Sequence, residues 1–204
     1  MRIGIDFDNT IACYDGVFHR AAVERGLVPE TLACDKTSVR NYLRGIGRED
    51  DWTELQGYIY GLRMDLVSPY PGAIDFMRAA CAAGHDVFIV SHKSRHPYIG
   101  ERHDLHKAAQ GFLAAHGVFD ADRVGLARGQ CYFELTLPEK LERIAAQSCD
   151  MFIDDLPEFL AEPAFPATTQ AILFDPENHY PDERRFPRLA SWSEISGHIL
   201  GSAA

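Results

Sequence analysis

A chain of 204 residues is long enough for one globular domain with a modest insertion, and such a domain can bury a core without disulfides or structural metals. Hydrophobic residues make up 46% of the chain and charged residues 25%, as is ordinary for a soluble globular protein. The formal net charge of −10 argues against a protein that binds nucleic acid polymers or a membrane surface.

Short apolar runs alternate with helix-like stretches along most of the chain. The apolar runs predict strands that are buried on both faces, at 2–6, 85–90, 150–154 and 169–174, with 131–135 as a candidate edge strand. The other stretches predict helices at 72–83, 103–116, 138–147 and 191–200. Strands that alternate with helices indicate an α/β protein with a parallel sheet flanked by helices.

Residues 12–70 interrupt this alternation directly after the first strand. They contain no convincing strand, and they offer helix-like pieces at about 14–25, 36–45 and 50–64. We therefore interpret 12–70 as a helical insertion into a core that is formed by 1–11 and 71–204. Near the end of the core, 175–190 is rich in proline and charge, which predicts an extended surface loop.

The number and spacing of the cysteines indicate the cellular compartment of the protein. The five cysteines are scattered and include no C-x-x-C pair, so we expect no disulfide framework and a reducing cytoplasm. The first predicted strand begins beside Met1, which leaves no room for a signal peptide. No apolar run approaches the ~20 residues that a membrane helix needs. We therefore expect a cytoplasmic protein without a membrane segment, and the sequence leaves its oligomeric state open.

The strongest chemical signal is D-F-D-N-T at 6–10, directly after the first strand. Ligands of open α/β sheets bind beyond the carboxyl ends of the strands, and alternation points Asp6 and Asp8 the same way. Two close carboxylates repel each other unless a cation compensates, and Mg²⁺ is the usual cation at phosphate sites. The competing interpretation is an Asx-rich turn, because Asp and Asn both favour turns.

Three further groups fall at the same predicted edge. Ser91 follows the strand 85–90, and Asp154 and Asp155 end the strand 150–154. Lys140 lies in the first turn of the helix 138–147, which runs antiparallel to the next strand and returns to the level of Asp154. Lys93 and Lys107 compete with Lys140 for a place at this edge.

Two groups of residues are candidates for substrate recognition. One is the segment 92–106, which carries four histidines among lysine and arginine residues; its spacings match no compact zinc motif, so a solvated or substrate-adjacent loop is favoured over a second metal site. The other is in the insertion, where three arginines and four aromatic residues could select a substrate: Arg40, Arg44, Arg63, Tyr42, Trp52, Tyr58 and Tyr60. For most of these residues the favoured interpretation is structural, with the aromatic residues in the core of the helical unit and the arginines on its solvated face.

In their order along the chain, the D-F-D-N-T motif, Ser91, Lys140 and the Asp154-Asp155 pair resemble the haloacid dehalogenase (HAD) superfamily of phosphohydrolases. The four motifs span nearly the whole chain, which looks closest to small bacterial hydrolases and deoxynucleotidase-like members. The resemblance implies a Rossmann-like core with residues 12–70 as a small helical cap. Ile153 stands where members usually have a glycine.

The resemblance also implies a mechanism. The chain would be a Mg²⁺-dependent phosphatase that hydrolyses a small organic phosphate monoester through an aspartyl-phosphate, with Asp6 as nucleophile and Asp8 as general acid and base. The metal ligands would be Asp6, the backbone carbonyl of Asp8, Asp154 and, from the first or second shell, Asp155. The phosphate contacts would be Thr10, Ser91, His92 and Lys140.

Other functions stay open from the sequence. The enzyme alternatives are a nucleotide-specific phosphatase and a phosphotransferase, and Asp8 disfavours a dehalogenase. A non-catalytic HAD-fold binding module is the alternative of another class, although every catalytic position carries a competent residue. The expected partner is a small phosphorylated metabolite whose identity the sequence does not give.

Overall fold

The computed structural model describes residues 1–201 and separates into two compact units. The first unit contains Met1–Ala12, Pro69–Lys93 and residues 113–201. The second unit contains Cys13–Ser68 and Ser94–Phe112. Within residues 1–201, no helix is both long enough and apolar enough to cross a membrane.

The first unit is built around a six-stranded sheet in which every neighbouring pair is parallel. The strands of the chain are β1 Arg2–Ile5, β2 Ala12–Cys13, β3 Ser68–Pro69, β4 Asp86–His92, β5 Cys131–Glu134, β6 Met151–Asp154, β7 Gln170–Phe174 and β8 Arg188–Leu189. The sheet order is β5-β4-β1-β6-β7-β8, while β2 and β3 form a separate small sheet. The predicted α/β fold with a parallel sheet is confirmed, and β5 is the predicted edge strand.

The helices are α1 Val17–Glu24, α2 Lys36–Gly45, α3 Glu49–Leu62, α4 Ala73–Ala82, α5 Leu105–Ala115, α6 Leu137–Ala146, α7 Pro157–Leu160 and α8 Trp192–Leu200. Helix α8 begins after Ser191, whose side chain accepts a hydrogen bond from the amide of Glu194 and so caps the helix. Short strands and a short helix lie where none was predicted: β2 and β3 at the ends of 12–70, which was expected to contain no strand, α7, and β8 inside the segment predicted to be an extended surface loop.

Helices cover both faces of the sheet, which explains why its strands read as continuous apolar runs. Successive residues of β7 show this most clearly, because side chains alternate between the faces of a strand. Leu173 belongs to a buried cluster with Ile144 of α6 and Leu160 of α7. Phe174 packs instead against Trp192 of α8, with ring centroids 5.7 Å apart.

The second unit has a core of aromatic side chains. The ring of Phe18 in α1 lies 5.2 Å from that of Trp52 in α3, and Tyr14 lies 5.1 Å from Tyr60. These contacts give Trp52 and Tyr60 the structural role that the sequence offered as the alternative to substrate recognition. Whether the unit also selects a substrate stays a prediction.

The second unit differs from the predicted insertion because it also includes Ser94–Phe112, which the βα alternation assigns to the core. The physical reason is close packing on α3. A methyl group on Gly57 would lie 2.5 Å from the Cβ of Pro97, and one on Gly61 would lie 2.7 Å from the Cβ of His103. Glycine at these two positions lets the backbone of the 94–104 loop lie directly against the helix.

We expect Gly57→Ala to lower the free energy of unfolding by about 1–3 kcal/mol, the usual range for overpacking, because the new methyl group would clash with Pro97. Gly111→Ala is the matched control, since Gly111 is exposed in α5 and its new methyl group would meet no atom within 4 Å. The control should gain about 0.5–1 kcal/mol from helix propensity. Urea denaturation measures both changes, and equal gains in the two variants would contradict the packing of the loop on α3.

Candidate active site

Two acidic residues meet at the carboxyl edge of the sheet because β1 and β6 are neighbouring parallel strands. Ile5 of β1 pairs in register with Ile153 of β6, so the residues that follow, Asp6 and Asp154, lie side by side. The backbone amide of Asp6 donates to the carbonyl oxygen of Ile153 at 2.9 Å, which extends the pairing to Asp6 itself. Both side chains are buried, so the strand register brings two carboxylates into a volume shielded from water.

Lys140 joins these two carboxylates. Its Nζ donates to Asp6 Oδ1 at 2.7 Å and to Asp154 Oδ2 at 2.6 Å, and the lysine is itself buried. The ring of Phe159 packs against the ammonium group, with Nζ 4.0 Å from the ring centroid. Of the three lysines that the sequence leaves open, Lys140 is the one that the structure places between Asp6 and Asp154.

The start of α6 explains how Lys140 reaches the strand ends. The hydroxyl of Thr136 accepts a hydrogen bond from the amide of Glu139, and the Glu139 carboxylate accepts one from the amide of Leu135. Such reciprocal capping, with Pro138 in the first turn, fixes where the helix begins. Because Lys140 lies in the next position, its side chain starts from a well-fixed backbone.

Asp8 has a lysine partner of its own. Lys93 Nζ donates to both carboxylate oxygens of Asp8, at 2.9 and 2.6 Å. The side chain of Lys93 is only 4% exposed, whereas that of Asp8 is 22% exposed. The sequence offers Lys93 as a competitor for the position of Lys140, and the structure instead gives the two lysines different carboxylates.

The turn after β1 is closed by contacts to both the backbone and an acid. Asn9 adopts a left-handed φ of 57°, which Asn tolerates better than most residues. Thr10 is fully buried, its hydroxyl lies 3.5 Å from Asp155 Oδ1, and its carbonyl accepts a 3.1 Å hydrogen bond from the indole of Trp192. The structure thus places Thr10 beside Asp155, while its contact with a phosphate stays a prediction.

Ser91 and His92 lie on opposite faces of strand β4. Ser91 and Lys93 are both buried and lie on one face of the strand, whereas His92 between them is exposed on the other. His92 Nε2 lies 3.1 Å from the carbonyl oxygen of Leu135. The structure therefore groups Ser91 with Lys93 rather than with His92, and the phosphate contacts predicted for Ser91 and His92 remain predictions.

The histidine-rich segment is divided between the two units, and the part after Lys93 is held together by its own contacts. His96 Nδ1 lies 2.9 Å from the carbonyl oxygen of His103, and Arg95 forms a 3.0 Å ion pair with Asp104. Within residues 1–201, no group of three or more His, Cys, Asp or Glu side chains forms a ready-made metal site. These contacts give this part of the loop a structural role, and a place beside a substrate stays a prediction.

Comparison with known proteins identifies the fold. No family model and no curated protein matches the chain. A HAD hydrolase of family IA, variant 3, from Entamoeba histolytica aligns over 98% of this chain and 97% of its own, with a TM-score of 0.63 and 11% identity. A HAD family hydrolase from Deinococcus radiodurans R1, with bound phosphate and sodium, covers 98% and 94%, with a TM-score of 0.61 and 16% identity. A dehalogenase covers 97% and 96%, with a TM-score of 0.57 and 15% identity.

The chain has the HAD fold. The resemblance read from the four sequence motifs is therefore confirmed at the level of the fold, and the Rossmann-like core is the sheet described above. Identities this low carry no information on chemistry, so the functions of the motif residues rest on the geometry of this chain.

The acidic cluster of this HAD fold has the charge and the ligand type that suit Mg²⁺. Four carboxylates face two buried ammonium groups, so two negative charges are in excess when all six groups are ionised. The six groups belong to Asp6, Asp8, Asp154, Asp155, Lys93 and Lys140. One divalent cation would balance the excess, and carboxylate oxygens are the hard ligands that Mg²⁺ prefers. Lys140 occupies one oxygen of each of two of these acids, so the cluster is not preassembled around a cation position.

Burial opposes the ionisation of these acids. Burial raises the pKa of Asp6 from 3.8 to about 7; Lys140 opposes this shift and the Asp154 carboxylate adds to it. Burial also raises the pKa of Asp155 well above its usual value, and the charges of Asp154 and Asp6 raise it further. For Lys140, burial lowers the pKa, but Asp154 and Asp6 outweigh this effect and raise it. The HAD-fold cluster thus holds more carboxylates than one neighbouring lysine can keep ionised.

Asp175 is a buried acid of the same edge that the sequence analysis missed. It directly follows β7, and its carboxylate accepts hydrogen bonds from the amides of His179 and Tyr180 and from Arg188 Nη1, at 2.8 to 3.0 Å. These contacts shape the loop after β7 and tie it to β8. The signal was available, because Asp175 ends an apolar run just as Asp154 does.

The raised pKa of Asp6 predicts how stability depends on pH in metal-free protein. A carboxyl group that binds its proton more tightly when folded contributes stability at low pH, and this contribution is lost as pH rises through the folded pKa. The free energy of unfolding should therefore fall between about pH 4 and pH 7. Asp6→Asn should flatten this fall, because the amide that replaces the Asp6 carboxyl group does not titrate.

Urea denaturation in excess chelator across this pH range measures the effect. Asp122→Asn is the control, because Asp122 is an exposed acid of the same unit and its loss should leave the pH dependence unchanged. If the free energy of unfolding of wild type and of Asp6→Asn changes equally with pH, the raised pKa of Asp6 is contradicted.

Proposed function

We propose that the chain is a Mg²⁺-dependent phosphatase that hydrolyses a small organic phosphate monoester through an aspartyl-phosphate on Asp6. The observation that carries the proposal is the buried Lys140 bridge between Asp6 and Asp154, with the more exposed Asp8 two residues from Asp6. This arrangement combines a nucleophile, a cation and an acid at the carboxyl edge of a HAD-fold sheet. Phosphoryl transfer depends mainly on such positioning and charge compensation.

In the first step, a carboxylate oxygen of Asp6 attacks the phosphorus atom, and the bond from phosphorus to the ester oxygen breaks. Asp8 gives a proton to the departing oxygen, so the products are an alcohol and the aspartyl-phosphate. In the second step, water attacks the phosphorus atom and gives a proton to Asp8. The bond to Asp6 breaks, which releases inorganic phosphate and restores both carboxyl groups.

The charges around Asp6 determine what else this chemistry needs. Bound Mg²⁺ would neutralise charge on Asp6, Asp154 and the phosphoryl oxygens, with Asp155 and the Asp8 carbonyl as further ligands. Lys140, whose pKa is raised by Asp154 and Asp6, stays protonated and offsets part of the carboxylate charge. The phosphate bound in the D. radiodurans structure supports phosphate binding by this fold.

The alternative enzyme functions differ in whether they need an acid at Asp8 and in which phosphate esters or acceptors they use. A dehalogenase has this fold as well, but halide is a leaving group that needs no proton, which makes an acid at Asp8 unnecessary. A nucleotide-specific phosphatase or a phosphotransferase would use the same first step, so a panel of phosphate esters and acceptors separates them.

We also propose a cytoplasmic location, which the free thiols of Cys34, Cys81, Cys131 and Cys149 support.

The proposal predicts that wild-type protein hydrolyses 4-nitrophenyl phosphate in the presence of Mg²⁺ and that Lys140→Ala lowers kcat/KM at least about tenfold. Removing one partner of a buried charge contact costs ~2–5 kcal/mol, and each ~1.4 kcal/mol is a factor of ten. Lys140→Arg should restore only part of the activity, because the guanidinium is larger and planar. Steady-state kinetics measure the loss, with circular dichroism to show that each variant is folded.

Lys107→Ala is the control, because Lys107 is an exposed lysine of the second unit and its loss should leave kcat/KM near wild type. Excess chelator should abolish turnover, and added Mg²⁺ should restore it. Full activity in chelator after dialysis would contradict the metal requirement. Near-wild-type activity of Lys140→Ala would contradict the function assigned to the bridge.

A further inference from the structure

Lys93 is a buried charged residue that the mechanism above does not use. Its side chain is 4% exposed, and its ammonium group lies within 2.9 Å of both carboxylate oxygens of Asp8. Exposed ion pairs contribute little, but a desolvated ammonium group is costly to bury without close partners. The position of Lys93 therefore needs an explanation beyond surface charge.

The backbone of Lys93 is fixed by the sheet. Its amide donates to the carbonyl oxygen of Glu134 at 2.8 Å, which continues the pairing of β4 with β5 by one residue. Because side chains alternate along an extended segment, Lys93 and Ser91 lie on the same face. The sheet thus presents a fixed ammonium group beside the D-x-D turn.

The two buried lysines have different partners. Lys140 bridges Asp6 and Asp154, whereas Lys93 donates hydrogen bonds to both carboxylate oxygens of Asp8. A carboxylate that is held through both oxygens loses freedom about its side-chain bonds, while the side chain of Asp8 alone, 22% exposed, could turn toward water. The contact therefore determines the direction in which the Asp8 carboxyl group points.

We propose that Lys93 is a positioning residue that holds Asp8 where it can pass a proton to the leaving group. The inference rests on the proposed phosphatase function and adds a residue to it. Lys93 acts through Asp8 and forms no bond to the substrate. A displacement of about 1 Å in such a group can lower a rate by a factor of about 100.

The leaving group provides the readout. A 4-nitrophenolate departs without a proton, whereas an alkoxide departs poorly unless an acid protonates it. A residue that positions the acid therefore matters for an alkyl phosphate and matters little for 4-nitrophenyl phosphate. A residue that binds the phosphate directly matters equally for both esters, because they present the same phosphoryl group.

The experiment compares kcat/KM for 4-nitrophenyl phosphate and n-butyl phosphate in wild type, Lys93→Ala, Lys93→Arg, Asp8→Asn and the Lys93→Ala/Asp8→Asn double variant. We expect Lys93→Ala to lose at least about tenfold more on the butyl ester than on the nitrophenyl ester. Lys93→Arg should recover most of this loss, because a guanidinium can also grip both carboxylate oxygens. In the Asp8→Asn background, Lys93→Ala should have almost no further effect.

Equal losses on the two esters, or a full additional loss in the Asp8→Asn background, would overturn the positioning role and place Lys93 on the phosphate. If the wild type hydrolyses neither ester in Mg²⁺, the proposed function fails and the positioning role falls with it. A double-mutant cycle on the free energy of unfolding then still tests the contact between Lys93 and Asp8. The losses of stability in Lys93→Ala and Asp8→Asn should be strongly non-additive, and additive losses would contradict the pair itself.

Discussion

The buried ammonium group of Lys140, within 2.7 Å of both Asp6 and Asp154, is the contact on which the candidate site depends. The parallel register of β1 and β6 forces these two acids together, whatever their charge. Without a cation between them, burial and mutual repulsion would leave one of them protonated. A protonated Asp6 would be a poor nucleophile in the proposed reaction, and the Lys140 contact lowers the pKa of Asp6 against the larger effect of burial.

The site therefore trades stability for reactivity. Burial raises the pKa of Asp6 to about 7, and that of Asp155 rises as well, so both acids ionise less readily than exposed carboxyl groups do. A bound divalent cation would offset the repulsion among these carboxylates and favour their ionised forms. Natural proteins commonly keep such locally unfavourable groups where chemistry requires them. Asp8 is placed differently, since it is partly exposed and has Lys93 as a partner.

Local patterns in the sequence predict the buried strands and the residues at their ends, because β1, β4 and β6 are apolar runs that stop at polar groups. Elements that depend on distant contacts could not be predicted. Strand β8 has two residues and is held by bonds to β7 and Asp175, and α7 has only four residues. Likewise, neither the packing of Pro97 on Gly57 nor the contact between Lys93 and Asp8, 85 residues apart, leaves a periodic signal.

Trapping the covalent intermediate tests the central claim most directly. Protein mixed with 4-nitrophenyl phosphate and Mg²⁺ is quenched in acid, digested and analysed by tandem mass spectrometry. The account predicts that one phosphoryl group is found on the peptide that begins at Met1 and that it is located on Asp6. Asp6→Asn should carry no such group under the same conditions. Turnover by wild type with no phosphorylated Asp6, or a phosphoryl group on another residue, would contradict the assignment of Asp6 as the nucleophile.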